Sequence, residues 1–335
     1  MSTIDLSTDY MGLKLENPLV PSASPLSRSL DSARRLEDAG CAALVMYSLF
    51  EEELRQEEEM TARFLIHQDI GHGEANSFLP FHDQFKHGLD QYLEQLAALK
   101  NALDVPVIAS LNGISLDTWI EHGKMLEEAG ADGLELNVYY LSADFKEEST
   151  AVEERYVKLL RALRSHVNIP IAMKLSPYFS AITHFIKRLD SEGVDAVVLF
   201  NRFYQPDIDP DNLQIVHQLH LSSSTDALLA MRWIAICYGR LKLSLAASGG
   251  VHSAQDALKM LLAGADIVNM CSTLLQHGPE RLTKIKTDLL DWMEEHEYSS
   301  IEEIKGRLSQ QYCDDPTAFE RASYLATLGS YAHHG

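Results

Sequence analysis

The sequence predicts an α/β protein whose 335 residues close into a single (β/α)8 TIM barrel spanning 1–335, with long loops at its C-terminal face. Three observations carry this. An internal repeat turns helix ends into apolar runs. Eight such runs alternate with helical stretches. Two long insertions both leave the C-terminal ends of strands, where barrels keep their binding sites.

The repeat reads LEDAGCAALVMY (36–47), LEEAGADGLELN (126–137), LDSEGVDAVVLFN (189–201) and LLAGADIVNM (261–270). Each copy ends an amphipathic helix, places a Gly where the backbone turns left-handed, and continues into an apolar run buried on both faces. Between the copies lie further strand candidates: PLVPSA (18–23), PVIAS (106–110), IPIAMKL (169–175) and LKLSLAAS (241–248). Helical periodicity covers 28–39, 115–129, 149–166, 180–191, 225–238, 253–263 and 279–295. An open doubly wound sheet is the alternative, but no Gly-rich dinucleotide fingerprint follows the first strand. The insertions are 48–87, with the acidic run EEELRQEEEM and a Gly/His-rich stretch, and 201–224. Both are long enough to cover a pocket.

Composition narrows the function. With 46% hydrophobic residues the chain can build a large core, and its net charge of −21 argues against a nucleic-acid partner. No run of eighteen apolar residues and no leader pattern is present, which reads as a cytoplasmic protein without a membrane anchor. Cys41, Cys237, Cys271 and Cys313 are widely spaced and read as free thiols. His67, His72, His82 and His87 lack a metal-site pattern and read as residues of a pocket rim, so no metal is expected.

The chemistry should sit where strands end. Strand 2 is expected to end at Met46-Tyr47-Ser48, strand 4 at Asn137, strand 5 at Lys174 and strand 6 at Asn201-Arg202. Strands 7 and 8 end in Ser248-Gly249-Gly250 and Cys271-Ser272-Thr273, small and hydroxylated residues that suit a phosphate, although a tight turn alone also explains the glycines. Lys174 closes an apolar strand. It reads either as a ligand contact, such as the pyrimidine edge of a flavin, or as the partner of a neighbouring carboxylate.

Taken together, ENPLVPSASP, ANSFLP, ELN, MKLSPYF, FN, ASGGV, GADIVNMCSTLL and YSSIEEIKGRLS resemble the dihydroorotate dehydrogenase family, in particular its class 1 branch, along nearly the whole chain. The resemblance implies FMN as cofactor. Ala23 and Ser24 would lie near the ring, Lys174 at its pyrimidine edge, and Ser248, Gly249, Gly250, Ser272 and Thr273 around the phosphate. Asn76, Asn137 and Asn201 match the asparagines that hold the family's small-molecule, pyrimidine-like substrate. Family members also pair as dimers, which implies a homodimer, and they pass electrons to an acceptor that this sequence does not specify.

The departures from the family pattern fall on the substrate side. Tyr140 stands at the position of the family's catalytic cysteine or serine, Ser142 replaces an asparagine, Met46 a lysine and Cys271 a glycine, and the loop NSFLPFHDQF lacks its glycine. Tyr140 reads as a proton donor in a flavin reductase, as a contact to a different substrate, or as filler of the old pocket. Its neighbour Tyr139 reads as packing. The expected activity is therefore FMN-dependent hydride transfer at a CH–CH group, with Tyr140 and Lys174 as catalytic candidates. Two alternatives stay open: oxidation of dihydroorotate itself with Tyr140 or a loop group as base, and a barrel that binds FMN or phosphate without turnover.

Overall fold

The computed structural model describes residues 4–55, 88–113, 116–202, 204–320 and 324; the side chains of 116 and 117 are left out. Eight parallel strands form one sheet in the order β3-β12-β11-β8-β7-β6-β5-β4. They are β3 (Leu19–Pro21), β4 (Leu44–Phe50), β5 (Val107–Asn112), β6 (Gly133–Asn137), β7 (Ile171–Leu175), β8 (Ala196–Leu199), β11 (Ser244–Ser248) and β12 (Ile267–Met270). The two ends of the sheet meet where the Ala42 N–H donates to the Leu19 carbonyl at 3.1 Å, bringing the sheet close to a closed barrel. The (β/α)8 prediction therefore holds.

The surrounding helices include α1 (Leu30–Asp38), α2 (Gly88–Ala102), α3 (Leu116–Glu128), α4 (Ser149–Arg164), α5 (Ile182–Ser191), α6 (Ala227–Cys237), α7 (Ala254–Ala263), α8 (Ser272–His277), α9 (Glu280–Glu295) and α10 (Ile301–Ile304). The helix α2 was not expected from the sequence, where it merged with the polar insertion before it. Two hairpins were also not expected. β1 (Thr8–Tyr10) pairs with β2 (Leu13–Leu15) below the barrel, and β9 (Asp207–Asp209) pairs with β10 (Gln214–Val216) inside the 201–224 insertion. Strands of three residues give almost no periodicity to read.

The glycine and the acids of the sequence repeat have structural tasks. Gly40, Gly130, Gly193 and Gly264 take φ of 92°, 94°, 83° and 116°, the left-handed turn that ends each helix without a Cβ penalty. The acid after three of these glycines pins the preceding strand. The Asp132, Asp195 and Asp266 carboxylates accept the Val107, Ile171 and Leu245 N–H groups at 2.7, 2.8 and 2.7 Å. Each also meets a cation: Lys100, Arg164 and Lys305 respectively. The acid near the helix end does a similar job for the loop beyond. Glu37 holds the Asp104 and Val105 N–H groups, Glu127 that of Asn168, and Asp190 those of Lys242 and Leu243.

Alternation along the strands divides the core in two. One buried cluster lies between strands and helices and includes Leu134, Leu136, Met173, Leu175, Val197 and Leu199. The other fills the lower barrel interior with Val20, Ile108, Ala172, Ala196, Val198, Ala246 and Ile267, closed from below by Tyr10, Met11 and Leu15 of the first hairpin. β4 departs from the expected strand 2. It runs on to Phe50, with a register shift against β5 between Val45 and Ser48. Met46, in that irregularity, is fully buried in the outer cluster, facing away from the barrel axis.

Candidate active site at the barrel mouth

Above the apolar floor the inner face turns polar. Glu135 and Asn137 share one face of β6, and the register sets Glu135 beside Ala172 and Asn137 beside Lys174 of β7. The Lys174 ammonium donates to Ser22 Oγ at 3.0 Å and to Glu135 Oε1 at 3.3 Å. The two charged side chains are only 7% and 2% exposed. Both sequence readings of Lys174 thus have a place. It does meet a carboxylate, and an ammonium has three donors, of which Ser22 and Glu135 take two. Next to the pair, Asn201 Nδ2 donates to Asn137 Oδ1 at 2.6 Å, so two of the three predicted substrate asparagines touch. Asn76 lies outside the described residues, as do the four loop histidines. Ser48 and Ser110 extend the polar layer through a 2.9 Å contact between their hydroxyls. Tyr92, pushed far above the usual tyrosine range by burial, stays a neutral phenol and fixes Ser110 through its backbone N–H and carbonyl.

The tips of β11 and β12 lie side by side, with Ser248 opposite Asn269. Gly249 and Gly250 take φ of 96° and 75°. A Cβ at Gly250 would run into the backbone of Asp226 and Ala227 at the start of α6, so only glycine fits. At Gly249 a Cβ would meet nothing within 4 Å, so the backbone faces open space there. Asp256 ties this tip down by accepting from Ser224 Oγ, the His252 and Ser253 N–H groups and Ser253 Oγ. Burial pushes its carboxyl up, but the hydrogen bonds outweigh burial and hold it below the usual range. Ser272 Oγ accepts the Ser222 N–H at 3.1 Å. Ser24 is buried, and Ala23 packs on the inner cluster beside Ser22.

Three buried polar atoms at this end have no hydrogen-bond partner among the described residues: both amide atoms of Asn269 and the Thr273 hydroxyl. Orphans of this kind are costly and rare, and a bound group can supply the missing donors and acceptors; Ser309 Oγ, away from these tips, is another. A flavin fits this donor set. Its ring edge carries both donors and acceptors to suit Asn269 and Lys174, and its phosphate suits the open backbone at Gly249 with Ser248, Ser272 and Thr273. Neither Glu135 nor Asn269 was singled out from the sequence. A charge at the alternate position of an apolar strand was the available signal for Glu135.

The tyrosines separate. The Tyr140 hydroxyl donates to Glu147 at 2.7 Å, and its ring lies under the Arg155 guanidinium, 4.1 Å from the ring centre. Arg155 in turn pairs with Glu147 at 2.6 Å. Hydrogen bonds from Ser142 and Tyr140 hold the Glu147 carboxyl below its ordinary range, so it is ionised. Tyr140, Ser142 and Glu147 line a cleft of about 280 Å³ at the rim, together with Tyr156, Ser176 and Tyr178. Tyr139 is 38% exposed, contrary to the packing role expected of it; Tyr140 is the one packed on the core. Met46, where the family's lysine would stand, is turned outward by the β4 irregularity and offers the mouth no charge. The four cysteines are free. Burial pushes Cys271 up against the pull of Lys174 and Arg202, so the group at the β12 tip is a thiol.

Comparison with known proteins agrees with this architecture. The chain is 24% identical over 310 residues to the dihydroorotate dehydrogenase B (NAD(+)) catalytic subunit of Thermoplasma acidophilum, covering 90% of this chain and 98% of that one. It is 26% identical over 308 residues to the protein of that name from Methanothermobacter thermautotrophicus, covering 90% and 97%. Against the NAD-dependent dihydropyrimidine dehydrogenase subunit PreA of Escherichia coli K12 it is 24% identical over 330 residues, covering 91% and 77%. The family model for dihydroorotate dehydrogenase matches residues 5–293, the stretch that carries the barrel strands, the buried lysine, the paired asparagines and the glycine tip, and the chain belongs to that family.

Proposed function

We propose that this protein is an FMN-dependent oxidoreductase that moves hydride between FMN and a CH–CH bond of a small pyrimidine-like substrate, with its substrate side rebuilt. The observation that carries the reading is the buried Lys174, held by Ser22 and Glu135 beside the Asn137–Asn201 amide pair. Bound FMN would supply the hydride acceptor. Ser248, Gly249, Gly250, Ser272 and Thr273 would hold its phosphate, with Ala23 and Ser24 against the ring. Lys174 supplies positive charge where reduction leaves negative charge. Asn137 and Asn201 offer donors and acceptors to a ring of carbonyl and N–H groups. The polar lining gives way below to an apolar floor of packed side chains.

A specific contact favours a second reading of the proton step. The Tyr140 hydroxyl donates its hydrogen bond to an ionised Glu147, so its oxygen keeps lone pairs that can accept a proton. A substrate C–H proton would pass to Tyr140 while the phenol proton passes to Glu147, which makes the pair a base that a lone tyrosine is not. In this reading Tyr140→Phe blocks substrate oxidation and leaves FMN bound. The curated relatives are named for two substrate types, dihydroorotate and dihydropyrimidine, and both are named as subunits, which supports electron transfer to a partner protein.

The test is an anaerobic visible spectrum of the purified protein before and after dihydroorotate or dihydrouracil. Bleaching of a flavin band by either is the expected result and identifies the substrate type. A colourless protein that FMN does not reconstitute overturns the proposal.

A further inference from the structure

Glu135 is the most deeply buried charged residue at the mouth. Among the described residues its ion-pair partner is Lys174 alone. The register places it one pleat deeper than Lys174, with Asn137 level with the lysine. The carboxylate therefore sits under the ammonium, on the side away from the mouth. Below it is the apolar plug of Val20, Ile108 and Ala172, with the Tyr10 phenol, which burial and then Glu135 push well above the usual tyrosine range. Among the described residues no second cation pairs with Glu135 from that side. The pair is electrically closed, and an anion arriving from the mouth has to compete with a fixed carboxylate for one ammonium. In a dry interior such competition is strong.

We propose that Glu135 is a positioning residue that limits the positive charge Lys174 offers to the ligand above it, and through this sets the reduction potential of the bound flavin. The inference rests on the flavin reading above. Ser22 fixes the direction of the ammonium, and Glu135 fixes how much of its charge is available. The arrangement makes reduced flavin less stable than a lone lysine would, and so keeps it a ready donor to the next acceptor.

The test is the midpoint potential of the flavin-loaded protein, measured by equilibration with a reference dye. Glu135→Gln removes the competing charge and keeps the shape. It is expected to shift the oxidised-to-reduced equilibrium at least tenfold toward reduced flavin, about 30 mV for a two-electron couple. Glu135→Asp keeps the charge but withdraws it by one methylene, and its potential should fall between the two. It also serves if the Gln variant does not fold. In a Lys174→Met background there is no ammonium for Glu135 to compete for, so adding Glu135→Gln should shift the potential clearly less than it does in the wild type. A Gln variant with flavin bound at the wild-type potential overturns the proposal, as does an equal shift in the Lys174→Met background. Wild type that binds no flavin removes the functional reading itself, and this inference with it.

Discussion

The two ends of the barrel are built from the same repeat and solve opposite problems. At the N-terminal end polar groups are closed off in pairs. Asp132, Asp195 and Asp266 each take a strand N–H and a cation, Thr8 donates to the Asp266 carbonyl, and the first hairpin seals the floor. At the C-terminal end Asn269 and Thr273 lack partners, Gly249 faces open space, and an ammonium is buried beside three polar side chains. The loops there also expose Leu141, Phe145, Tyr178, Ile208, Leu213 and Ile215. One end has been optimised for stability. The other keeps unsatisfied groups, which a natural protein tolerates where a ligand completes them.

The largest effect should come from splitting the charge pair. Lys174→Met leaves Glu135 buried without a cation and should cost about 3–5 kcal/mol in denaturant unfolding, with loss of flavin reduction by substrate. Lys174→Met combined with Glu135→Leu should recover most of the stability and none of the reduction. Recovery of both by the double variant would mean that the pair is a packing element like those at the floor.

The matching change at the other end is Asp266→Asn. It should cost about 1–2 kcal/mol, because Lys305 loses its buried partner while the amide oxygen can still accept the Leu245 N–H. FMN affinity should stay within about twofold, since the site is a strand length away. The pH dependence gives a finer check. Burial alone would lower Lys305, but Asp266 and Glu302 outweigh it and hold its pKa above the ordinary 10.5. A raised folded-state pKa means this contribution is complete below 10.5 and is lost as pH rises through the higher folded value. Wild type should therefore lose stability along an alkaline limb that Asp266→Asn shrinks. An unchanged limb would assign the alkaline loss to other groups.

How much could be read in advance follows the same division. The stability end was legible, because Gly130, Asp132 and their copies recur at fixed spacing and each has one local task. The position of Lys174 was legible for a similar reason, as a charge breaking an apolar run. Glu135 was not recognised, because its meaning depends on the register that puts β6 beside β7, and register is not a local property of either strand. The outward turn of Met46 was hidden for the same cause, since the irregularity in β4 exists only against β5. The partners of Tyr140 were not legible in the sequence. Glu147 and Arg155 lie beyond the strand tip, in a loop and a helix that strand-end reading passes over.

The smallest expected effect is also the sharpest test of the difference between the ends. Asn269→Leu and Thr273→Val remove polar atoms that have no partner, so each should leave the flavin-free protein unchanged or about 1 kcal/mol more stable. The same changes should weaken FMN binding, by roughly tenfold for one lost hydrogen bond of about 1.4 kcal/mol. Flavin fluorescence titration and thermal unfolding of the flavin-free protein measure the two quantities separately. Opposite signs would mean that these groups are kept for the ligand at the expense of the fold. A loss of stability without a change in FMN affinity would place Asn269 and Thr273 in the structural class of Asp266, and the unsatisfied end of the barrel would then need an occupant other than FMN.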